Sequence, residues 1–298
     1  MGNVIINAIG VFLLFLLIIY VYNKLRPGAF DRKLAEAAAK SRASMQKTDA
    51  DRIGRRFTVP REGLEGVAVN LYTPKGISRE IYPVVFLSHG GSFMDGDADL
   101  LDTYCSEMCE QWECVIVSIN YTKIDVKQIP YQQEEIRDTL LWFAINASQF
   151  KIDPKKFVLM GFTAGAYLSV GAGTFLLEKG FKTKGIVMVS PLVDDTLIRL
   201  CDAGLHPDPV LLITTPGDNM KDRYPVYEEH MKNAGIDYTL RQFDDALPGF
   251  IEYNNPEYKN IGAYAKQPSV GPEQEEQASI CNMWIGSQLN IMFEAQDE

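Results

Sequence analysis

Thr163 stands at the centre of Gly161-Phe162-Thr163-Ala164-Gly165. The apolar run Phe157-Val158-Leu159-Met160 leads into it, and the small-residue stretch 164–177 leads out. A strand that turns sharply on glycines into a helix presents its central side chain at the apex, the setting of an acyl-transfer nucleophile. Serine is the ordinary occupant of that apex; here the hydroxyl comes on a β-branched residue. Earlier in the chain, His89-Gly90-Gly91-Ser92 follows a second apolar run, 83–88. Glycines in that place let backbone N–H groups approach a substrate oxygen, as stabilisation of an oxyanion requires.

These residues need a frame. Runs 83–88, 115–121, 157–160, 186–190 and 210–215 are short and apolar, the pattern of buried parallel strands. Residues 67–72 alternate as a strand does, and 238–243 form a further one. Helices are predicted over 100–110, 132–148, 164–178, 224–233 and 273–293, with Gly235 as a stop signal after the fourth. Residues 254–272 read as a surface loop. Regular alternation of strand and helix predicts an α/β fold, a mostly parallel central sheet with helices on both faces.

With both glycine motifs in this order, the chain resembles the hormone-sensitive-lipase-like branch of the α/β-hydrolases, which includes arylacetamide-deacetylase-like carboxylesterases. The resemblance covers about residues 82–250. It also rests on Asn120-Tyr121, Pro130 with Asp138, Asp153-Pro154, Ser190-Pro191, Gly217-Asp218 and Leu247-Pro248-Gly249-Phe250. It implies that the backbone N–H groups of Gly90, Gly91 and Ala164 form the oxyanion hole. It places Thr163 at the nucleophile and Asp218 at the acid that orients a histidine. Pro248 falls at the position of that histidine, Thr122 at a usual arginine, and Ser92 at a usual third glycine.

Proline carries no proton acceptor, so the general base that should activate Thr163 and protonate the leaving group is missing. Three histidines exist. His89 is expected to shape the oxyanion loop, His206 to lie at the opposite edge of the sheet, and His230 to sit along a helix leading away. Asp244 and Asp245 lie near Pro248 and could act as weak carboxylate bases. A β-branched residue at positive φ also strains the turn, at roughly 1–3 kcal/mol.

Residues 4–22 carry no charge and one amide, Asn7, close to the span of a bilayer's hydrocarbon core. Tyr20 and Tyr22 stand where an interfacial belt belongs. No basic residue precedes the run and Asn23-Lys24-Leu25-Arg26-Pro27 follows it, which argues for an uncleaved anchor over a signal peptide. Ile6 in the Ser/Thr position rules out the myristoylation motif. Lys24, Arg26, Arg32 and Lys33 all follow the run, which places the rest of the chain in the cytoplasm. The expected organisation is a single-pass membrane anchor over 1–22, a helical stalk or linker over 23–60, and the α/β-hydrolase domain over 61–298.

A net charge of −10 and the absence of a basic run argue against nucleic acid. Five scattered cysteines show no zinc spacing and read as buried thiols in a reducing compartment. No dinucleotide fingerprint or P-loop occurs, so no cofactor is implied. The expected function is a pseudoenzyme binding a small acyl or ester-like ligand or a protein partner. A weak ester hydrolase using Thr163 and a non-histidine base, and a purely structural interaction protein, are the alternatives.

Overall fold

The computed structural model describes residues 29–76 and 79–295. They divide into two compact units with a boundary between Ser44 and Met45. The first, in its described part, is helix α1 (Ala29–Met45) as far as Ser44, within the helical stalk or linker expected over 23–60. The apolar run 4–22 lies outside the described residues. Among the described residues no helix is long and apolar enough to cross a membrane.

The second unit is built on eight strands: β1 (Arg55–Arg61), β2 (Leu64–Tyr72), β3 (Tyr82–Ser88), β4 (Val115–Asn120), β5 (Ile152–Phe162), β6 (Ile186–Val189), β7 (Val210–Thr214) and β8 (Tyr238–Gln242). They form one sheet in the order β1-β2-β4-β3-β5-β6-β7-β8. The first two pairings, β1 with β2 and β2 with β4, are antiparallel, and all the others are parallel. The expected mostly parallel sheet is therefore present, with one more edge strand than the sequence suggests.

Period-2 alternation sends successive residues of each inner strand to opposite faces. Val84 and Phe86 of β3 pack in one core, Val85 and Leu87 in the other. Helices α2 (Asp102–Gln111), α3 (Tyr131–Ile145), α4 (Ala164–Glu178), α5 (Asp195–Asp202), α6 (Tyr224–Asn233) and α7 (Pro272–Glu294) cover the two faces. Residues of α3, α4, α5 and α6 join the first core, and residues of α2 and α7 join the second. Residues 254–272 contain one short helical turn, Pro256–Lys259, and otherwise no regular element.

An ion network fastens residues 46–56 to the segment before α2. Asp99, fully buried, accepts hydrogen bonds from Arg52 Nε at 2.7 Å, Arg56 at 3.0 Å, Asn70 Nδ2 at 2.7 Å and the Lys47 amide at 2.8 Å. Asp102, also fully buried, accepts from Lys47 Nζ, the Ile53 and Gly54 amides and the Tyr72 hydroxyl. Two carboxylates buried this deeply are tolerable because every charge meets a cation or several donors.

Candidate active site

Strands β3, β5 and β7 run parallel, so the segments that leave their carboxyl ends gather at one edge of the sheet, where open α/β sheets assemble their sites. The turn after β5 is fixed by two close approaches. A Cβ on Gly161 would meet the Ala166 amide nitrogen at 2.3 Å, and one on Gly165 would meet the Ser88 carbonyl oxygen at 2.1 Å. Only glycine lets α4 start so near to β3. Between them Thr163 has φ 45° and ψ −106°, with its amide donating to the Val189 carbonyl at 2.9 Å. The sharp turn expected from the sequence is present, and a β-branched residue occupies its left-handed apex.

The oxyanion loop comes to the same place. Gly91 has φ 113°, and a Cβ on it would lie 2.2 Å from the Asp95 carbonyl oxygen. The amides of Gly91 and Ala164 meet no acceptor among the described residues. The Gly90 amide differs: it donates to Glu252 Oε1 at 3.1 Å.

Asp218 follows β7 and is 3% exposed. Its oxygens accept from the Thr215 amide and hydroxyl at 2.8 and 2.9 Å and from the Tyr224 hydroxyl at 3.3 Å. Pro248 stands beside it: a Cβ on Gly217 would come within 2.9 Å of Pro248 Cδ. Asp218 and Pro248, the expected acid and histidine positions, thus come to the same part of the site, and Pro248 brings no side-chain proton acceptor there.

None of the three histidines serves instead. His89 is fully buried under the oxyanion loop and stacked on Tyr121, with Nδ1 2.6 Å from the Gly90 carbonyl oxygen and Nε2 3.0 Å from Lys123 Nζ. Burial first and the Lys123 charge second hold its pKa well below the ordinary value. A neutral ring donating from Nδ1 and accepting at Nε2 satisfies both contacts and braces the loop. His206 meets the Pro207 carbonyl and the Tyr227 hydroxyl, and burial lowers its pKa to about 4. His230 pairs with Asp202 on the surface, at 2.6 Å. Asp244 and Asp245 are exposed.

The carboxyl group that does reach the site is Glu252. It is 4% exposed, and burial pushes its pKa up to about 7. A Cβ on Gly90 would lie 2.7 Å from Glu252 Oε1 and 2.8 Å from Thr163 Oγ1, so both oxygens crowd the same few ångströms. The only local signal for it is an acidic residue within the apolar stretch Phe250-Ile251-Glu252-Tyr253. Gly91, Thr163, Asp218, Pro248 and Glu252 share the wall of one cavity of about 510 Å³.

Comparison with known proteins agrees with this architecture. Residues 85–203 match the family described as the alpha/beta hydrolase fold. The chain is 33% identical over 133 residues to versiconal hemiacetal acetate esterase of Dothistroma septosporum, covering 43% of this chain and 40% of that protein. It is 28% identical over 125 residues to arylacetamide deacetylase of Oryctolagus cuniculus, covering 41% of this chain and 31% of the relative. The matched stretches thus span less than half the length of these curated relatives. Among solved structures, an esterase of Pyrobaculum calidifontis superimposes with a TM-score of 0.66 at 17% identity, covering 93% of this chain and 99% of that one. A thermostable carboxylesterase from a metagenomic library gives 0.64 at 19% identity, covering 90% and 98%. Residues 85–203 thus carry an alpha/beta-hydrolase-fold domain, and relatives that include arylacetamide deacetylase support the hormone-sensitive-lipase-like carboxylesterase branch.

Proposed function

We propose that this chain keeps the esterase cavity as a binding site for a small acyl or ester-like ligand and has left Ser-His-Asp hydrolysis behind, a pseudoenzyme on a carboxylesterase scaffold. The observation that carries this reading is Pro248 packed beside Gly217 and Asp218, with no imidazole lining the cavity. Loss of the base removes roughly 10²–10⁴-fold of rate. The strained threonine and the occupied Gly90 amide point the same way. The uncharged run 4–22, followed by Lys24, Arg26, Arg32 and Lys33, supports a membrane-attached protein with this cavity on the cytoplasmic side.

Glu252 favours a second reading, an atypical ester hydrolase. A carboxylate that titrates near 7 has the proton affinity of a histidine and lies beside Thr163 Oγ1. It would take the hydroxyl proton as Thr163 attacks an ester carbonyl and return it to the departing alcohol. The Gly91 and Ala164 amides would hold the oxyanion.

Turnover of p-nitrophenyl acetate and butyrate by the full chain separates the two. The expected result is background activity in the wild type, in Thr163→Ala and in Glu252→Gln alike, with turnover appearing in Thr163→Ser/Pro248→His. Wild-type turnover abolished by both Thr163→Ala and Glu252→Gln would establish the hydrolase instead.

A further inference from the structure

We infer that the ligand of this cavity is cationic, an organic ammonium compound. This rests on the proposed binding role and names the chemistry it serves. Three carboxyl groups face the cavity, those of Asp95, Asp218 and Glu252, and among the described residues no lysine, arginine or histidine lines it. Asp218 spends its oxygens on Thr215 and Tyr224, so it contributes charge and no open acceptor. The other two do have open acceptors. Glu252, 4% exposed, uses Oε1 for the Gly90 amide and the Tyr258 hydroxyl, while Oε2 meets no donor among the described residues. Asp95 Oδ1 is buried with no hydrogen-bond partner. A buried acceptor such as Asp95 Oδ1 is uncommon unless a ligand completes it.

The wall beside these oxygens is aromatic. Tyr253, Tyr258 and Tyr264 are in mutual ring contact, with centroids 5.0–5.5 Å apart. Tyrosine faces attract cations, and a desolvated alkylammonium gains from rings and carboxylates together. The same negative charge works against an oxyanion or a carboxylate ligand, whatever the Gly91 and Ala164 amides could donate. A divalent metal ion fits less well. Among the described residues no three Asp, Glu, His or Cys side chains converge as metal ligands. Spread carboxylates and a tyrosine wall suit a diffuse charge on a carbon-rich body.

Glu252 makes the preference depend on pH. Its proton must leave before it offers a full charge, and a bound cation draws its pKa back toward the ordinary carboxylate range. The charged and titratable groups that share the cavity with it or interact with it are Asp95 from the oxyanion loop, Tyr104 on α2, Tyr121 after β4, Asp218 after β7, Tyr224 on α6, and Tyr253, Tyr258 and Tyr264 from the segment before α7. None of these carboxylates or tyrosines becomes a cation across the neutral range, so Glu252 sets the response.

The test is isothermal titration calorimetry on the full chain with three probes: choline, its neutral isostere 3,3-dimethylbutan-1-ol, and butyrate. We expect choline to bind at least about 10-fold more tightly than either of the others. Its affinity should rise from pH 6 to pH 8 in the wild type and stay flat in Glu252→Gln. Asp95→Asn, a partly exposed position with little effect on folding, should weaken choline by about 5-fold and leave the isostere unchanged. Equal binding of the isostere, preferential binding of butyrate, or no choline binding at about 10 mM would each overturn the inference. Ester turnover by the wild type would instead remove the non-hydrolytic reading and leave the charge preference standing.

Discussion

Glu252 Oε1 accepts the amide hydrogen of Gly90 at 3.1 Å, joining the residue four places after Pro248 to the first glycine of the oxyanion loop. The contact puts an ionisable group where the family's chemistry calls for donors alone, and it ties loop geometry to a titration. Burial holds the Glu252 proton in the folded protein up to about pH 7, whereas an unfolded glutamate releases it near 4.3. Between those values the folded state binds more protons than the unfolded one, so its stability falls as pH rises. The loss accumulated by pH 8 is on the order of 3 kcal/mol. Glu252→Gln, which cannot ionise, should therefore be more stable than wild type at pH 8 and lose that advantage at pH 5. Urea unfolding at the two pH values reads this directly, and a wild type that gains on the variant at alkaline pH would refute it.

Thr163 holds φ 45° with a branched side chain. Its strain belongs to the folded state only, and glycine accepts that backbone without steric cost. After allowance for the extra freedom of unfolded glycine, Thr163→Gly should stabilise the protein by about 1 kcal/mol. A lower urea midpoint for the variant would show that the apex is relaxed.

Gly165 should tolerate nothing larger. The 2.1 Å approach of an added Cβ to the Ser88 carbonyl is backbone against backbone, with no flexible side chain to yield. Gly165→Ala is expected to cost 3 kcal/mol or more, by roughly the measure of overpacked cores, and a drop in melting temperature of under about 3 °C would contradict it.

Asp99 tests the ion network. Burial opposes its ionised form, yet Arg52, the Lys47 amide, Asn70 and Arg56 outweigh burial and hold its pKa below the ordinary value. Its contribution is complete above the unfolded pKa, near 3.9, and disappears as pH falls through the lower folded value. Asp99→Ala removes the buried carboxylate on which Arg52 Nε, Arg56, Asn70 and the Lys47 amide converge, leaving Arg52 only Asp49 and the Lys47 carbonyl, and should cost about 3–5 kcal/mol at neutral pH. The gap in thermal unfolding between variant and wild type should narrow as pH falls below about 3.9; a gap that stays constant there would assign the loss to packing.

Much of this was legible from local sequence, for a physical reason. The inner strands are buried on both faces along their central residues, such as 84–87, 157–160, 186–189 and 210–213, and therefore read as short apolar runs. Gly161 and Gly165 are demanded by a turn that their own spacing announces. Strand β1 hides because Arg55-Arg56-Phe57-Thr58-Val59-Pro60-Arg61 lies at the sheet's edge, where charge and proline are permitted. Helix α5 is short, although Asp194 caps it through the Thr196 and Leu197 amides at 2.8 and 3.1 Å. Glu252 could not be singled out, because its character comes from burial in the folded protein, against residues such as Gly90 that are far away in the chain. Asp244 and Asp245 lie as near to Pro248 in sequence, and the fold turns them to solvent.

The carboxylates of Asp99 and Asp102 also decide how the domain meets tension. Any pull on the chain's N-terminal end enters this unit through residues 46–56, and those residues are fastened by Lys47, Arg52 and Arg56 to two buried anions. Load applied there must therefore break ion pairs to buried carboxylates before it passes along the rest of β1.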